Sequence, residues 1–172
     1  SDPKAVFEIS ASDATSGIDR YEIQIDGTLV DTLVGDGKKH YETGILEPGT
    51  HMVTITAFDK AENFVSKEIT LEVESILPPE ITEYPEVLAS GEVVVVKGET
   101  YPDAKVTLWI GKNSRSVESH IVSSNERGNF TLELPQGLSR GSYILWGEVV
   151  DSRGAVSDAS ETLSFKVSWP SL

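Results

Sequence analysis

The chain has 172 residues and no cysteine, which excludes disulfide bonds, thiolate nucleophiles and cysteine-ligated zinc. Its 28 acidic and 14 basic side chains give a formal net charge of −14, which argues against a basic groove, so no nucleic-acid partner is expected. The hydrophobic residues favour valine, isoleucine, leucine and tyrosine over methionine, and no long stretch has apolar residues at helical spacing. An all-β fold is therefore predicted.

The first half of the chain contains the pattern of a β-hairpin. Tyr21, Ile23 and Ile25 alternate with polar residues, as in a half-buried strand. The turn Asp26-Gly27 follows, and an Asp-Gly pair between two strands is a strong hairpin signal. The sequence before residue 4 shows no alternation that would predict a strand. Either the sequence begins inside a module, which then lacks its first strand, or residues 4–10 supply the first edge strand of that module.

A 14-residue motif occurs once in each half, over residues 46–59 and again over residues 138–151. In each copy a glycine permits a tight turn into an alternating strand, and the copy closes with an aspartate. A recurring unit of this kind indicates two copies of one fold. Asp59 and Asp151 are predicted to accept hydrogen bonds from backbone amides two residues on, and so to close the next turn. The aligned residues are Leu46, Gly49, Thr50 and Asp59 in the first copy and Leu138, Gly141, Ser142 and Asp151 in the second.

Two consecutive prolines divide the chain. Pro78 and Pro79 cannot lie in a central strand, and they favour an extended, semi-rigid connection. The predicted organisation is one module over residues 1–75, a proline-rich linker over 76–79 and a second module over 80–169. Each module has a suitable size for a small β-sandwich.

The second half continues with short strands at regular spacing. The valine run over residues 93–96 predicts a strand that is buried on both faces. Val106, Leu108 and Ile110 alternate with other residues and predict a half-buried strand. Short strands with turn residues between them indicate a sandwich. Further strands are predicted over residues 118–123, 129–134 and 155–168.

Several stretches resemble bacterial immunoglobulin-like repeats. Residues 13–21, Asp-Ala-Thr-Ser-Gly-Ile-Asp-Arg-Tyr, are similar to the opening of such repeats. Residues 49–63 are similar to their closing signature, with Glu62 where the repeats usually have glycine, and residues 96–106 resemble a related bacterial module. The resemblance implies two tandem immunoglobulin-like antiparallel β-sandwiches, of the Big or fibronectin-III-like kind, in a bacterial cell-surface protein. Such modules mostly act as spacers, adhesin stalks or enzyme accessories.

The sequence contains no motif typical of catalysis. It has three histidines without metal-ligand spacing, no Gly-x-Ser-x-Gly elbow and no glycine-rich phosphate loop. A non-catalytic protein without a resident cofactor is expected. The alternative is a calcium-binding protein, because calcium takes oxygen ligands that loops at one end of a sandwich can supply. Aspartates in loops are also explained by the capping of turns, which needs no metal. The candidate calcium ligands are Asp13, Asp19, Asp59, Asp103 and Asp151.

Two tryptophans lie out of phase with the apolar positions of their strands. Trp109 falls between Leu108 and Ile110, and Trp146 follows Leu145. If the two strands are neighbours in one sheet, both indoles stand on its outer face and form an exposed aromatic patch. Such a patch would mark a site for a glycan or a protein partner. The alternative is that a loop or the other module covers them, because burial is the usual fate of tryptophan.

The leading functional hypothesis is a structural spacer, or stalk, in an extracellular and monomeric region of a cell-surface protein. The first alternative is an adhesion or binding module that uses Trp109 and Trp146, and the second is an accessory region of an enzyme. Trp169 and Pro170 lie near the last residue of the sequence, and two continuations of the polypeptide are expected from them. One is a transmembrane anchor, because tryptophan is enriched at membrane interfaces, and the other is an ordinary linker.

Overall fold

The computed structural model describes residues 2–113 and 115–169. These residues form fourteen β-strands and no α-helix, which confirms the predicted all-β class. The chain divides into two compact units, with the division between Glu74 and Ser75.

The described residues of the first unit form six strands in two layers. The strands are β1 (Val6–Ile9), β2 (Ile18–Ile25), β3 (Thr28–Val34), β4 (Lys39–Glu42), β5 (Gly49–Asp59) and β6 (Phe64–Val73). The larger sheet has the order β3-β2-β5-β6, and the smaller sheet pairs β1 with β4. All of these pairs are antiparallel. Tyr21, Ile23 and Val53 are fully buried in the core of this unit.

The hairpin between β2 and β3 turns at Asp26-Gly27, as predicted. Both residues have positive φ angles, 50° and 80°, which is the conformation of a type I′ turn. The Oδ1 atom of Asp26 also accepts a hydrogen bond from the amide of Met52 at 2.9 Å. This bond ties the turn to the neighbouring strand β5.

The described residues of the second unit form eight strands, also in two layers. The strands are β7 (Glu80–Glu83), β8 (Val87–Ala89), β9 (Val94–Glu99), β10 (Lys105–Lys112), β11 (Ser116–Ser123), β12 (Asn129–Leu134), β13 (Gly141–Val150) and β14 (Leu163–Ser168). One sheet has the order β11-β10-β13-β14-β8, with β8 parallel to β14, and the other has the order β12-β9-β7. Val106, Leu108 and Leu145 are fully buried in its core.

Strand β9 differs from the prediction of a strand buried on both faces. Val94 and Val96 are fully buried, whereas Val93 is half exposed and Val95 is only partly buried. In a two-layer sandwich only one face of each sheet is covered by the other sheet, so alternate valines reach the outside. The run of four valines does not reveal this, because every position in it is apolar.

The two aspartates that close the repeated motif cap the following turns, which confirms their predicted structural role. The Oδ1 atom of Asp59 accepts hydrogen bonds from the amides two and four residues on, at 2.8 and 2.9 Å. The Oδ1 atom of Asp151 makes the same pair of bonds at 2.9 and 3.0 Å. One local geometry therefore closes the turn after both β5 and β13.

A third copy of this turn begins at Asn125, between β11 and β12. Its Oδ1 atom accepts from the amides two and four residues on, at 2.9 and 3.0 Å. In all three copies the fourth residue has a positive φ angle, and that residue is Gly128, Gly154 or Glu62. Glu62 has a φ of 63°, which is unfavourable for a residue with a Cβ atom. Its carboxylate accepts two hydrogen bonds from the guanidinium of Arg20, at 3.0 and 3.1 Å, and a glycine at this position could not form this ion pair.

His51 in β5 has a hydrogen-bond acceptor at each ring nitrogen. Nδ1 lies 2.7 Å from Oδ2 of Asp26, and Nε2 lies 2.8 Å from the carbonyl oxygen of Glu47. The protonated imidazolium fits this arrangement, because it has two donors. The Glu47 carbonyl and the Asp26 carboxylate raise the pKa of His51. His51 and the Met52 amide in turn lower the pKa of Asp26.

The stability of the first unit should therefore depend on pH through His51. A raised folded-state pKa adds stability that is complete below the unfolded value of about 6.5 and is lost as the pH rises through the folded value. The lowered pKa of Asp26 adds stability above its unfolded value of about 3.9, which is lost as the pH falls. We expect His51→Gln to reduce the free energy of unfolding most at about pH 5, and less toward about pH 9.

NMR-detected urea unfolding, which follows the amides of each unit separately, measures this difference. His40→Gln is the matched control, because His40 is an exposed histidine whose Nδ1 contacts an exposed carboxylate, that of Glu8, at 3.0 Å. Its effect on stability should be small at every pH. A His51→Gln effect that is constant from acid to alkaline pH would contradict the charged arrangement.

Candidate ligand-binding face

The two tryptophans singled out in the sequence lie opposite each other on paired strands. β10 and β13 are antiparallel neighbours, and their register places Trp109 directly against Trp146. Leu108 and Ile110 on β10 point into the core and are buried, so the alternation of the strand directs Trp109 to the outer face. Both indoles are partly exposed. Neither is packed between the two sheets, which is the geometry that the aromatic-patch hypothesis requires.

The two indoles stack on each other. Their ring centroids are 6.0 Å apart and their planes differ by 10°. Stacked aromatic pairs contribute about 0.5–1.5 kcal/mol beyond the area they bury. Because both indoles keep part of their surface exposed, the pair offers an aromatic surface to a ligand on the outer side of the sheet.

Apolar side chains extend the surface around the indoles. Val117 and Ile121 of β11 are 51% and 61% exposed and stand opposite Gly111 and Thr107 of β10. Ile144 of β13 also stands opposite Gly111, where an added Cβ atom would come within 3.0 Å of the Ile144 side chain. Strand alternation places all of them on the same side as the indoles. The outer aromatic face is defined as Trp109, Val117, Ile121, Ile144 and Trp146.

Three members of the outer aromatic face were not predicted from the sequence. Val117, Ile121 and Ile144 are ordinary strand residues, and nothing in their local sequence places them beside the indoles. Their position depends on the pairing register of β10 with β11 and β13. Val117 and Ile121 share one face of β11 with the polar Ser119, so alternation marks that face as apolar only at two positions.

The candidate calcium ligands of the first unit are engaged in turn hydrogen bonds. Oδ1 of Asp13 accepts from the amides of residues 15, 16 and 17, at 2.7, 2.7 and 3.3 Å, and these amides lower its pKa. The Oγ atom of Ser16 lies 3.3 Å from Asp13 and 3.1 Å from Asp59, so it links the two carboxylates. The side chain of Asn63 donates to Asp59 at 2.8 Å and lowers its pKa. Asp19 forms an ion pair with Arg20 at 3.2 Å.

The candidates of the second unit lie in two turns. Asp103 has a φ of 50° in the turn before β10. Burial raises the pKa of Asp151, but two bonds from Arg153 and the turn amides outweigh burial and leave that pKa below its usual value. Within residues 2–113 and 115–169, no three acidic or histidine side chains are grouped so as to hold one metal ion. Calcium binding by the five aspartates stays a prediction.

The end of the chain is described only as far as Trp169. This indole is 69% exposed, and the guanidinium carbon of Arg140 lies 5.6 Å from its ring centroid. Pro170, on which the expectation of a membrane anchor also depends, lies outside the described residues. The part of the chain that the structure describes has no helix with the length and apolarity needed to cross a membrane.

No protein-family model and no curated protein matches the chain. Among solved structures it is similar to the fibronectin(III)-like modules of CbhA from Clostridium thermocellum, with 10% identity, a TM-score of 0.40 and coverage of 98% of this chain and 87% of that chain. It is similar to dimeric latent PorU from Porphyromonas gingivalis, with 17% identity, a TM-score of 0.41 and coverage of 99% of this chain and 19% of that chain. It is also similar to the FN1–FN3 domains of chicken CNTN1, with 13% identity, a TM-score of 0.38 and coverage of 98% of this chain and 63% of that chain.

The chain consists of two immunoglobulin-like β-sandwich units. Its own strand order and pairing establish this fold, which confirms the predicted fold class, and fibronectin-III-like modules are among the solved structures it resembles. At these identities and TM-scores the solved structures carry no argument about activity, ligands or partners.

The stacking of Trp109 on Trp146 should be measurable as a coupling between two substitutions. We expect the double-mutant cycle of Trp109→Ala and Trp146→Ala to give a coupling free energy of about 0.5–1.5 kcal/mol in the unfolding of the second unit. Urea unfolding followed by circular dichroism measures it. Trp109→Ala combined with Trp169→Ala is the control pair and should be additive, because the two indoles lie at separate places in the unit. Additive effects of Trp109→Ala and Trp146→Ala would contradict the stacked arrangement.

Proposed function

We propose that the chain is a non-catalytic spacer, or stalk, in an extracellular region of a bacterial cell-surface protein. The fold is of the kind used in structural and linking modules, and two units occur in tandem. The net charge of −14 favours solubility of an extended protein through self-repulsion. The short connection between the units is the observation that supports this role most directly.

Only two residues separate buried positions of the two units. Val73, the last residue of β6 in the first unit, is buried, and Ile76 is buried in the core of the second. The Ile76 amide donates to the carbonyl oxygen of Val156 at 3.1 Å. Glu74 and Ser75 lie between the buried positions, and the Ser75 hydroxyl donates to Asp158 at 2.8 Å. A connection this short has few rotatable bonds, which suits a spacer whose length is set by its two units.

The segment interpreted as a linker packs against the second unit. The amide of Leu77 donates to the hydroxyl of Tyr101 at 3.1 Å. A Cβ atom on Gly147 would lie 3.1 Å from Cγ of Pro79, so Pro79 lies close over this glycine. The two prolines also limit the backbone torsions of this stretch. Residues 76–79 therefore continue the second unit toward Glu74 and leave no long flexible tether.

The spacer hypothesis predicts a narrow distribution of distances across the connection. Because the chain has no cysteine, single cysteines at the exposed positions Lys60 and Glu126 can carry spin labels, one in each unit. We expect the distance distribution to broaden by about twofold when Gly-Ser-Gly-Ser is inserted between Glu74 and Ser75, since such linkers behave as flexible coils. Pulsed electron paramagnetic resonance measures the distribution.

The control for this experiment is the same insertion after Asp36, in the exposed loop between β3 and β4. This variant should keep the narrow distribution, because the loop lies within the first unit. A parent chain whose distribution is already as broad as that of the Glu74–Ser75 insertion would contradict a stiff spacer.

A second candidate function is adhesion through the outer aromatic face. The stacked, partly exposed pair of Trp109 and Trp146 supports it, together with the exposed side chains of Val117 and Ile121. Exposed clusters of this kind mark binding surfaces, and aromatic rings are suitable platforms for the apolar faces of sugars. A glycan or a surface protein is the expected partner.

A glycan array probed with the whole chain tests this candidate. We expect Trp109→Ala and Trp146→Ala each to weaken binding to any positive glycan by about tenfold, which corresponds to about 1.4 kcal/mol. Trp169→Ala is the control, because it removes an exposed indole outside the outer aromatic face. Positive glycans whose signal survives both substitutions in the face, or an array without positives, would exclude sugar binding at this face.

A further inference from the structure

One edge of the larger sheet differs between the two units. The sheet orders β3-β2-β5-β6 and β11-β10-β13-β14-β8 make β3 and β11 equivalent, and no described strand pairs with the outer side of either. Strand β3 has a bulge opposite Ile23 and Gln24. The Oδ1 atom of Asp31 accepts a hydrogen bond from the amide of Thr32 at 2.7 Å, so a carboxylate engages one backbone donor of β3. Bulges and charges on an edge strand oppose the addition of another strand.

Strand β11 lacks both of these devices. Its residues, Ser116–Ser123, pair with Lys105–Lys112 of β10 without a register shift. It contains no lysine and no proline, the residues that commonly protect an edge. All of its residues except His120 and Val122 are exposed. The second unit therefore presents a regular and accessible strand edge where the first unit presents a protected one.

The backbone groups of alternate residues of β11 point to this open edge. The amide of Asn113 donates to the carbonyl oxygen of Ser142 at 2.9 Å, so Asn113 faces β13. Because successive residues of a strand direct their backbone groups to opposite sides, the even-numbered residues of β10 face β11. Their register partners on β11 are also even-numbered. The backbone donors and acceptors of Val117, Ser119 and Ile121 therefore face outward, where no described strand pairs with them.

The sequence of β11 is complementary to itself in the antiparallel direction. When Ser119 lies opposite its own copy, Val117 lies opposite Ile121 and Glu118 lies opposite His120. Val117 and Ile121 are 51% and 61% exposed, and in this register each gains an aliphatic neighbour across the edge. A shift by two residues can set Glu118 opposite Glu118, which is unfavourable because like charges then face each other.

We propose that two copies of the chain associate through β11, with Ser119 of each copy at a two-fold axis. Val117, Ser119 and Ile121 of each copy donate and accept across the axis, which gives about six main-chain hydrogen bonds. The five-stranded sheets of the two copies become one continuous sheet. The same surface serves on both sides, as two-fold symmetry requires. A second copy is the occupant because the aliphatic residues and the Glu118–His120 pair complement each other within this one strand.

Association through β11 joins the two outer aromatic faces. Trp109 and Ser119 are register partners on β10 and β11, so each Trp109 lies three strand spacings from its copy. At about 4.8 Å for each spacing, the two indoles stand about 14 Å apart in one row. The inference goes beyond the spacer and adhesion hypotheses and depends on neither. It differs from the monomer expected from the sequence.

The charge of the chain sets the strength of this association. Each copy has a net charge of −14, so two copies repel each other. Salt weakens this repulsion, because exposed charges are screened beyond about 8 Å at about 0.15 M ionic strength. One strand from each copy makes a small interface, which is typical of weak complexes. We expect a dissociation constant on the order of 0.1 mM that decreases as salt is added.

Cysteine cross-linking of the whole chain tests the register. The chain has no cysteine, so Ser119→Cys places one thiol of each copy opposite the other. Opposite residues of an antiparallel pair have Cα atoms about 4.5–5.5 Å apart, within the range of about 4.4–6.8 Å that a disulfide spans. We expect mild oxidation at about 0.3 mM protein to convert most of this variant to a covalent dimer. Gel electrophoresis without reductant measures the conversion.

The matched control is Ser123→Cys. Ser123 is also exposed and lies on the same strand, but beyond the residues that face β11 of the other copy. It should give at least about tenfold less covalent dimer, because its thiols lie outside the distance that a disulfide spans. Equal cross-linking of both variants, or of neither, would overturn the proposed register.

Sedimentation of the chain without cysteines tests the association itself. We expect the parent chain to change from monomer to dimer between about 10 μM and 1 mM. Ser119→Pro removes the amide at the axis but no bond to β10, and proline is tolerated on an edge strand, so this variant should fold and stay monomeric. Ser123→Pro should still dimerise. A parent chain that stays monomeric, or a dimer that survives Ser119→Pro, would overturn the proposal.

Discussion

The rest of the structure depends on one pairing register in each unit, that of β2 with β5 in the first and that of β10 with β13 in the second. In the second unit it sets Trp109 against Trp146 and leaves Leu108 opposite Gly147 on the inner face. Because side chains alternate between faces, a slip of one residue would exchange the core and the outer surface of a strand. The full burial of Leu108 and Leu145 opposes such a slip, since it would expose both. The same burial thereby holds the two indoles outside.

The first unit depends on the same constraint, with turns that reinforce it. The register of β2 with β5 sets Tyr21 against Ala57 and Ile23 against Ile55. The type I′ turn at Asp26-Gly27 lies at one end of this ladder and is tied to β5 by Asp26. The turn after Asp59 lies at the other end. Local turn chemistry and core burial therefore specify one pairing.

Much of the fold was predictable because its signals are local. The Asp26-Gly27 hairpin, the capping aspartates and the alternating strand at Val106 are each encoded within a few residues. The outward direction of Trp109 and Trp146 also followed from alternation, and only their contact needed the pairing of two strands. The remaining features depend on partners far along the chain. Nothing near residues 93–96 shows that one face of β9 is uncovered.

The candidate site was predictable in part for the same reason. The indoles differ from their strand neighbours in size and phase, whereas Val117 and Ile121 become part of the face only through the register of β11. Arg20 lies 42 positions before Glu62, so the ion pair that accompanies the missing glycine could not be read from the turn. The third capped turn, at Asn125, had a readable signal, because Asn125 and Gly128 have the spacing of Asp151 and Gly154.

The repeated turns also bear on the order in which the chain acquires structure. The β5–β6 ladder needs only the closed turn after Asp59 and then extends by adjacent pairs, from Phe58 with Phe64 to Gly49 with Val73. Hairpins of this kind form in about 1–10 μs, whereas contacts between distant segments must first close long loops. Strand β8 meets β14 only after about 75 intervening residues have been brought into place. We therefore expect hairpins to precede sheet closure during folding, with the parallel β8–β14 contact among the last to form.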